Sequence, residues 1–324
     1  MGRTALIFGI SGQDGAYLAR LLLEAGRVVH GTSRDHEASS FRNLAQLGIR
    51  ERVHLHSAAL NDFRSVIRVL DRVGPDEIYN LAGQTSVGLS FDMPVETFES
   101  ISVGTLNILE CIRFLKRPIR LFNAASSECF GNTDRPADED TPFHPRSPYA
   151  AAKAAAYWTV RNYREAYGMY ACSGILFNHE SPLRLGRFVT RKIVATAARI
   201  ARGGTERLTL GDLSIARDWG WAPEFAEAIR LMLEQDEPRD LVIATGRTIR
   251  LEEFVALAFG RLGLDWRDHV DVDPTLFRPS EIQRSMADPS RAARILGWRA
   301  RTPVDGVVAN LVDQEMGRER NEPT

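Results

Sequence analysis

The sequence is poor in cysteine, and its cysteines do not have the spacing of a redox or metal motif. Cys111, Cys129 and Cys172 are an odd number, and no C-x-x-C pair occurs. This usage is not that of a disulfide-stapled secreted scaffold, so we expect a protein of the reducing cytoplasm. His54 and His56 fall on one face of a predicted strand without a third ligand, so no metal site is predicted.

Long hydrophobic runs and an excess of charge of one sign are also absent. No apolar run has the length of a membrane span, and the run at 5–10 ends in a glycine-rich loop, unlike a signal peptide. The formal net charge of −1 provides no global field, so we expect neither nucleic acid nor membrane as a partner. Hydrolase and NTPase functions lack support because no G-x-S-x-G and no Walker loop occurs.

The first half of the chain alternates strand and helix signals. Its 324 residues, 44% hydrophobic and 26% charged, are ample for a globular enzyme with two lobes. Apolar runs predict strands at Thr4–Phe8, Val28–Thr32, Val53–His56, Glu77–Ala82, Arg120–Ala125 and Ala171–Leu176. Helical spacing predicts helices at Ala16–Ala25, Phe63–Val73, Val95–Leu115 and Tyr149–Tyr167. This βαβ rhythm predicts an α/β fold, a Rossmann-type doubly wound parallel sheet.

The pattern beyond Phe177 is less regular, and Leu241–Ala244 alone is predicted to return to the main sheet. We therefore predict a cofactor-binding Rossmann domain over 1–176, with a returning segment around 219–262. The stretches 177–218 and 263–324 are predicted to form a smaller, discontinuous substrate lobe.

A glycine-rich loop follows the first strand and opens the first helix. Its spacing, G-x-x-G-x-x-G, allows a tight turn and lets backbone N–H groups approach a pyrophosphate at the helix N-terminus. Dinucleotide binding is therefore predicted for this loop. The residues predicted to contact the cofactor are Gly9, Ser11, Gly12, Gln13, Asp14 and Gly15.

The end of the second strand carries the signal for the type of dinucleotide. NAD enzymes usually place an acid there, on the ribose 2′-hydroxyl. This chain has Ser33 and Arg34 instead, which favours the 2′-phosphate of NADP. Asp35 could neutralise Arg34, so strict preference for NADP over NAD stays open.

Four residues suggest proton transfer beside this cofactor. Tyr149 and Lys153 stand at i and i+4 on one helix face, where the ammonium is expected to lower the pKa of the phenol. Such a tyrosine can take a proton from an alcohol while hydride leaves. Ser126, at the end of the fifth strand, can hydrogen-bond the reacting hydroxyl. Glu128 suggests a second proton transfer, which simple alcohol oxidation does not need.

Longer motifs carry a family resemblance over nearly the whole chain. They include GISGQDGAYLA (9–19), DEIYNLAGQTSVGLSF (76–91), SSECFG (126–131), TPFHPRSPYAAAK (141–153), GILFNHESP (174–182), RFVTRKIVATA (187–197), ARDWGWAPEF (216–225) and FRPSEI (277–282). With these motifs the chain resembles the extended short-chain dehydrogenase/reductase family, and within it the GDP-mannose 4,6-dehydratase branch.

The resemblance implies a reaction and a set of site residues. The reaction is NADP-dependent dehydration of GDP-mannose to GDP-4-keto-6-deoxymannose, through C4 oxidation, loss of water across C5 and C6, and C6 reduction. The implied catalytic residues are Ser126, Glu128, Tyr149 and Lys153. Further cofactor contacts are implied for Asp62, Leu81, Leu176, Asn178 and His179. The implied substrate contacts, besides Ser126 and Glu128, are Thr85, Ser90, Asn178, Glu180, Arg184, Val189, Lys192, Gly211, Arg217, Arg278 and Glu281. A homodimer or homotetramer is implied too.

Alternatives remain open at this point. The family often has arginine where Leu183 stands, and related enzymes act on GDP-linked heptose, so the sugar is not decided. A 4-keto sugar reductase of the same superfamily would also carry a serine and a glutamate after strand five, but would need exchangeable NADPH. A non-catalytic Rossmann redox sensor need not retain Tyr149 and Lys153 together.

Overall fold

The computed structural model describes residues 2–317, so the last residues of the predicted substrate lobe lie outside the described range. The strands in that range are β1 (Thr4–Phe8), β2 (Val28–Ser33), β3 (His54–Ser57), β4 (Glu77–Asn80), β5 (Arg120–Ser126), β6 (Ala171–Leu176), β7 (Asn178–Glu180), β8 (Leu208–Leu210), β9 (Ala216–Trp221), β10 (Leu241–Ile243), β11 (Thr248–Arg250) and β12 (Val270–Val272). The α-helices are α1 (Gln13–Glu24), α2 (Arg42–Gln46), α3 (Phe63–Val73), α4 (Val87–Asp92), α5 (Pro94–Phe98), α6 (Gly104–Leu115), α7 (Pro148–Tyr167), α8 (Val189–Ala201), α9 (Ala222–Glu234), α10 (Leu251–Gly260), α11 (Ser290–Leu296) and α12 (Val304–Glu315).

Seven parallel strands form the central sheet, in the order β10-β6-β5-β4-β1-β2-β3. Side chains alternate between its faces, so Ala5 and Ile7 belong to the core that includes α1 and α9. Leu6 and Phe8 belong to the opposite core, with α3 and α6. The predicted doubly wound parallel sheet is confirmed. Its strand order reverses between β1 and β4, where such sheets open a binding crevice at their carboxyl ends.

The glycine loop packs tightly against the end of β4. Gly9 has φ +86°, and a Cβ there would lie 2.8 Å from the backbone of Leu81. A Cβ at Gly15 would lie 2.5 Å from the Gly9 carbonyl oxygen. Both positions therefore require glycine, and the first turn of α1 is held against the carboxyl end of the sheet.

The predicted long helix Val95–Leu115 is interrupted. A π-helical turn at Glu99–Val103 separates α5 from α6. The hydroxyls of Thr97 and Thr105 donate to the carbonyls of the preceding turn, at 2.8 Å and 2.7 Å, which loosens the regular ladder. The sequence pattern also missed α4, whose start is capped by Ser86 accepting from Leu89 N–H.

A second core lies beside the main sheet. It is built by α8, α10 and α12 around buried residues such as Trp219 and Phe254. The small sheet β11-β9-β7 contacts both α12 of this core and α9 beside the main sheet, whereas the pair β12-β8 belongs to the second core. Within 219–262, α9 and β10 pack with the main sheet, whereas α10 packs with α8 and α12. The exact lobe boundaries stay a prediction.

Four further observations concern compartment and metals. Along residues 2–317, no helix is both long and apolar enough to cross a membrane. The same range contains no group of three His, Cys, Asp or Glu side chains arranged to hold a metal ion. His54 and His56 instead stack on either side of His30, with ring centroids 4.8 Å and 5.1 Å away. All three cysteines are buried and free. The cytoplasmic setting stays a prediction.

Candidate active site

A cleft of about 360 Å³ opens at the carboxyl ends of β1, β4, β5 and β6, a volume suited to a small ligand. Most of the predicted site residues converge on it. Those that line it are Asp14, Leu81, Thr85, Ser126, Glu128, Tyr149, Lys153, Leu176, Asn178, His179, Glu180, Arg184, Val189, Lys192, Gly211, Arg217 and Arg278.

The four predicted catalytic residues come from two adjoining elements. Ser126 ends β5, and the 3₁₀ turn that follows it carries Glu128, whose N–H donates to the Ser126 hydroxyl at 3.3 Å. Tyr149 and Lys153 lie on the first turns of α7. Ser147 caps this helix by accepting from Ala150 N–H at 3.1 Å. The cap and the end of a buried strand thus hold all four side chains on rigid supports.

The electrostatics of Tyr149 differ from the sequence prediction. Burial raises the pKa of Tyr149 above its usual value, although the Ser126 hydroxyl hydrogen-bonds the phenol and opposes the rise. The Lys153 ammonium donates to the Ala124 carbonyl at 2.7 Å, and burial lowers its own pKa to about 8. The predicted lowering of the Tyr149 pKa is therefore wrong for the chain alone, because desolvation outweighs the Ser126 hydrogen bond and the charge of Arg184.

Glu128 is the candidate second proton-transfer group. Burial raises its pKa, while the guanidinium groups of Arg217 and Arg278 limit the rise. Both arginines also contact the Glu281 carboxylate, at 2.9 Å and 3.3 Å. A carboxylate with a raised pKa is a better base near neutral pH, which suits removal of a proton from carbon.

Buried polar atoms without hydrogen-bond partners cluster beside the glycine loop. Asp14 Oδ1, His179 Nε2 and Arg184 Nε are all in this state. His179 Nε2 lies 3.1 Å from Asp14 Oδ2, close enough to attract but not aligned as a hydrogen bond. The His179 pKa is raised: burial lowers it, but Asp14 more than compensates. Unsatisfied buried polar groups are rare in folded proteins and indicate a place for a polar ligand.

The other predicted cofactor residues surround this cluster. Gln13 is buried, donates to the His179 carbonyl at 3.0 Å and accepts from Ser181 at 2.7 Å, so it joins the loop to the segment after β6. Arg34 is exposed at the end of β2 and makes no ion pair with any residue in 2–317. Asp62 caps α3, accepting from Arg64 N–H at 3.0 Å.

Comparison of the sequence with known proteins shows which family the chain belongs to. A family model described as GDP-mannose 4,6 dehydratase matches residues 6–311. The chain belongs to the GDP-mannose 4,6-dehydratase family. It is 44% identical to GDP-mannose 4,6 dehydratase 1 of Arabidopsis thaliana, with 97% of this chain and 90% of that protein covered. It is 43% identical to GDP-mannose 4,6-dehydratase of Sinorhizobium fredii, with 97% of each covered.

Solved structures agree on the fold. UDP-glucose 4-epimerase of Thermus thermophilus, in complex with NAD, superposes with a TM-score of 0.84 at 26% identity, covering 97% of this chain and 99% of that one. The predicted membership of the nucleotide-sugar dehydratase branch is confirmed, and the chain is a dehydratase enzyme.

Not every residue implied for this family reaches the cleft. Ser90 is fully buried and its hydroxyl donates to the Val87 carbonyl at 2.6 Å, so it supports α4 from within. Glu281 is not among the lining residues, and it lies behind Arg217 and Arg278 as their partner. Lining residues that the sequence analysis missed include Arg187, Phe188, Thr209, Ile215, Trp219 and Leu276. Arg187 and Phe188 stand in the quoted motif at 187–197, which was their only sequence signal.

Proposed function

We propose that the chain dehydrates GDP-mannose to GDP-4-keto-6-deoxymannose with NADP as its cofactor. One observation carries the proposal: Glu128 lines the same cleft as the Ser126, Tyr149 and Lys153 set, beside two arginines suited to a diphosphate. A second base is needed for elimination of water but not for alcohol oxidation alone. The relatives named above carry this activity in their names, which supports the same substrate class here.

The proposed mechanism assigns a step to each side chain. A nicotinamide dinucleotide held on the glycine loop would supply reversible hydride transfer, as acceptor from C4 and donor to C6. Tyr149 takes the O4 proton, where the positive charge of the bound cofactor would offset the burial that raises the Tyr149 pKa, and Ser126 holds O4 through its hydroxyl. Glu128 then removes the C5 proton, acidified by the C4 ketone, and that proton departs with the C6 hydroxyl as water. C5 is reprotonated when C6 is reduced, and this uptake balances the proton that Tyr149 took from O4. The sum is loss of one water with no net redox change.

The chain fits such a cofactor. The unsatisfied atoms of Asp14, His179 and Arg184 lie beside a loop whose glycines allow a pyrophosphate to approach. The epimerase neighbour, solved with NAD, supports a nicotinamide dinucleotide. The choice of NADP rests on Arg34 being unpaired within the described chain. Asp35 makes no ion pair with Arg34 within the described chain, and its Oδ1 accepts from the N–H groups of Glu37 and Ala38, at 3.0 Å and 3.2 Å, which supports a free Arg34.

Mannose is favoured over heptose by the relatives, which carry GDP-mannose in their names. Leu183 departs from the family pattern, but its side chain is buried in the core that contains α1 and is not among the cleft-lining residues. Leu183 itself therefore contributes nothing to the lining of the cleft.

The test is incubation of the purified protein with GDP-mannose and no added cofactor, followed by mass spectrometry. We expect loss of one water, because the hydride is returned in each cycle and the cofactor copurifies. Turnover that stops unless NADPH is added, with reduction of an added 4-keto sugar, would instead support the reductase. Turnover of GDP-heptose in place of GDP-mannose would replace the proposed substrate.

We also propose a homo-oligomer. Leu106 and Phe114 of α6, and Val103 at the end of the π turn before it, lie on one side at helical spacing and are exposed, Phe114 at 69%. A soluble chain rarely leaves such an apolar row in water, and self-association would cover it with the same row of a second copy. Light scattering should show a dimer or tetramer, and Phe114→Glu should shift the mass toward the monomer. A monomeric wild type would contradict the proposal.

A further inference from the structure

The cleft contains an arginine, Arg187, that has no role in the function proposed above. Arg187 lines the cleft and is exposed, directly before Phe188, the N-cap residue of α8. The Arg187 guanidinium lies 5.7 Å from the centroid of the Phe188 ring, and Arg184 covers the same ring at 3.9 Å. One aromatic ring thus stands beside two guanidinium groups at the cleft wall.

The Arg187 side chain has no protein partner among the described residues, whereas the other lysines and arginines of the cleft contact protein oxygens. Within residues 2–317, Arg187 takes part in neither an ion pair nor a side-chain hydrogen bond. The engaged cations and their protein oxygens are Arg184 with Glu180 (3.2 Å), Arg217 with Glu281 (2.9 Å), Arg278 with Glu281 (3.3 Å), Lys192 with the Thr209 carbonyl (2.6 Å) and Lys153 with the Ala124 carbonyl (2.7 Å).

The surroundings of Arg187 favour an anion. Val189 and Thr190, the first residues of α8, also line the cleft, so the unsatisfied N–H groups of that helix start lie on its wall. Arg217 and Arg278 share the carboxylate of Glu281, at 2.9 Å and 3.3 Å, and Glu128 is the other carboxylate near them. An incoming diphosphate meets a wall whose one unengaged side-chain cation, among the described residues, is Arg187.

We propose that Arg187 is a specificity-determining residue that recognises the diphosphate of the nucleotide sugar. This inference rests on the proposed function, since it takes the substrate to be a nucleoside diphosphate sugar. A guanidinium can contact two phosphate oxygens at once, which makes it selective for the diphosphate over uncharged parts of the ligand. Arg187 reaches no catalytic side chain, so it contributes to substrate binding and not to the rate of the bound complex.

The experiment compares wild type, Arg187→Ala, Arg187→Lys and Arg267→Ala by calorimetric titration with GDP and with guanosine. Arg267 is the matched control, an exposed arginine that lies over an aromatic ring, Trp266, at 5.0 Å but outside the cleft. We expect Arg187→Ala to weaken GDP about ten- to a hundredfold, the usual effect of losing a hydrogen bond to a charged group. Guanosine should bind all variants equally, and Arg187→Lys should recover part of the loss.

Steady-state kinetics adds a second readout. Arg187→Ala should raise KM for GDP-mannose and leave kcat at saturation unchanged. Equal GDP affinity in wild type and Arg187→Ala would overturn the role of Arg187 while leaving the proposed function intact. A wild type that binds neither GDP nor GDP-mannose would overturn the proposed substrate class, and this inference with it.

Discussion

Two groups of charged and polar side chains lie at opposite ends of the same parallel strands. The basal cluster lies at the amino ends of β1, β2 and β4 and consists of Arg3, Arg27, Glu77, Tyr79 and Glu234. Glu77 is fully buried and accepts from Arg3 at 2.9 Å, Arg27 at 3.0 Å and the Tyr79 hydroxyl at 3.1 Å. Arg27 also contacts Glu234 at 2.7 Å. No buried side-chain atom of this cluster lacks a partner in the described chain.

The cleft at the carboxyl ends of the strands is arranged differently. Asp14, His179 and Arg184 keep unsatisfied buried atoms, and Lys153 has a carbonyl as its partner instead of a counter-ion. Glu128 stands close to arginines that are already shared with another carboxylate. The comparison indicates a division of roles: charges compensated within the chain support the fold, and charges left incomplete are those that a ligand completes.

The largest effect should follow from removing Glu128, the proposed base. Glu128→Gln keeps the size of the side chain but cannot take the C5 proton. We expect kcat to fall about a hundred- to ten-thousandfold, the usual effect of losing a positioned acid–base group. C4 oxidation does not need Glu128, so reduced nicotinamide should accumulate, visible by absorbance after mixing with GDP-mannose.

This variant also tests the comparison. Burial disfavours the charged form of Glu128, and Arg217 keeps Glu281 as a partner, so replacement of Glu128 by a neutral amide should lower the free energy of unfolding measured in urea less than Glu77→Gln does. If Glu128→Gln formed dehydrated product near the wild-type rate, Glu128 would have no role in the elimination. If Glu128→Gln lost much stability while its cofactor content stayed normal, Glu128 would support the fold, as the basal cluster does.

The reverse pattern is expected in the basal cluster. Glu77→Gln leaves Arg27 buried without its closest counter-charge, and breaking a buried pair usually costs about 3–5 kcal/mol. Urea denaturation should show a loss of that size, and KM for GDP-mannose should not change. Glu165→Gln is the control, since its pair with Arg161 is exposed and should contribute less than about 1 kcal/mol. A loss equal to that of the control would contradict the supporting role of Glu77.

The pH dependence of stability should report the uncompensated ammonium of Lys153. Folding lowers its pKa from 10.5 to about 8 by burial, so between these values the unfolded chain binds the proton more tightly. The free energy of unfolding should therefore rise with pH across this window, by about 3 kcal/mol in total from this group. Lys153→Met should remove that rise. Urea denaturation of both proteins from pH 7 to pH 10 measures it, and parallel curves would contradict the assignment.

Most strands and helices of the Rossmann half could be predicted from the sequence, because patterns among neighbouring residues determine them. The buried strand Ala171–Leu176 and the helix Phe63–Val73 have the predicted bounds, since apolar runs and amphipathic spacing depend on neighbours in the chain. The π turn at Glu99–Val103 escaped prediction because it depends on hydroxyl contacts and on packing against α7.

Prediction of the site failed where burial and distant segments decide the outcome. The spacing of Tyr149 and Lys153 indicated which residues meet, but the pKa of the phenol depends on desolvation, which spacing does not reveal. Leu276 lines the cleft beside Gly211, a contact across 65 positions of sequence that no local pattern contains. Ser90 was misplaced because a motif match does not show which way a helix turns its side chains.

The smallest effect should arise at Arg34, an exposed arginine without an ion-pair partner in the described chain, which follows the carboxyl end of β2. Arg34→Ala should weaken NADP binding about tenfold, since an exposed phosphate contact is partly screened, and leave NAD binding unchanged. Fluorescence titration with both dinucleotides measures the two affinities. Asp35→Asn separates the alternatives: if Asp35 neutralised Arg34, NADP would bind this variant more tightly. The Asp35 carboxylate accepts from backbone N–H groups of its own turn, so we expect little change in NADP affinity. Equal weakening of NADP and NAD in Arg34→Ala would show that no 2′-phosphate is read at this position.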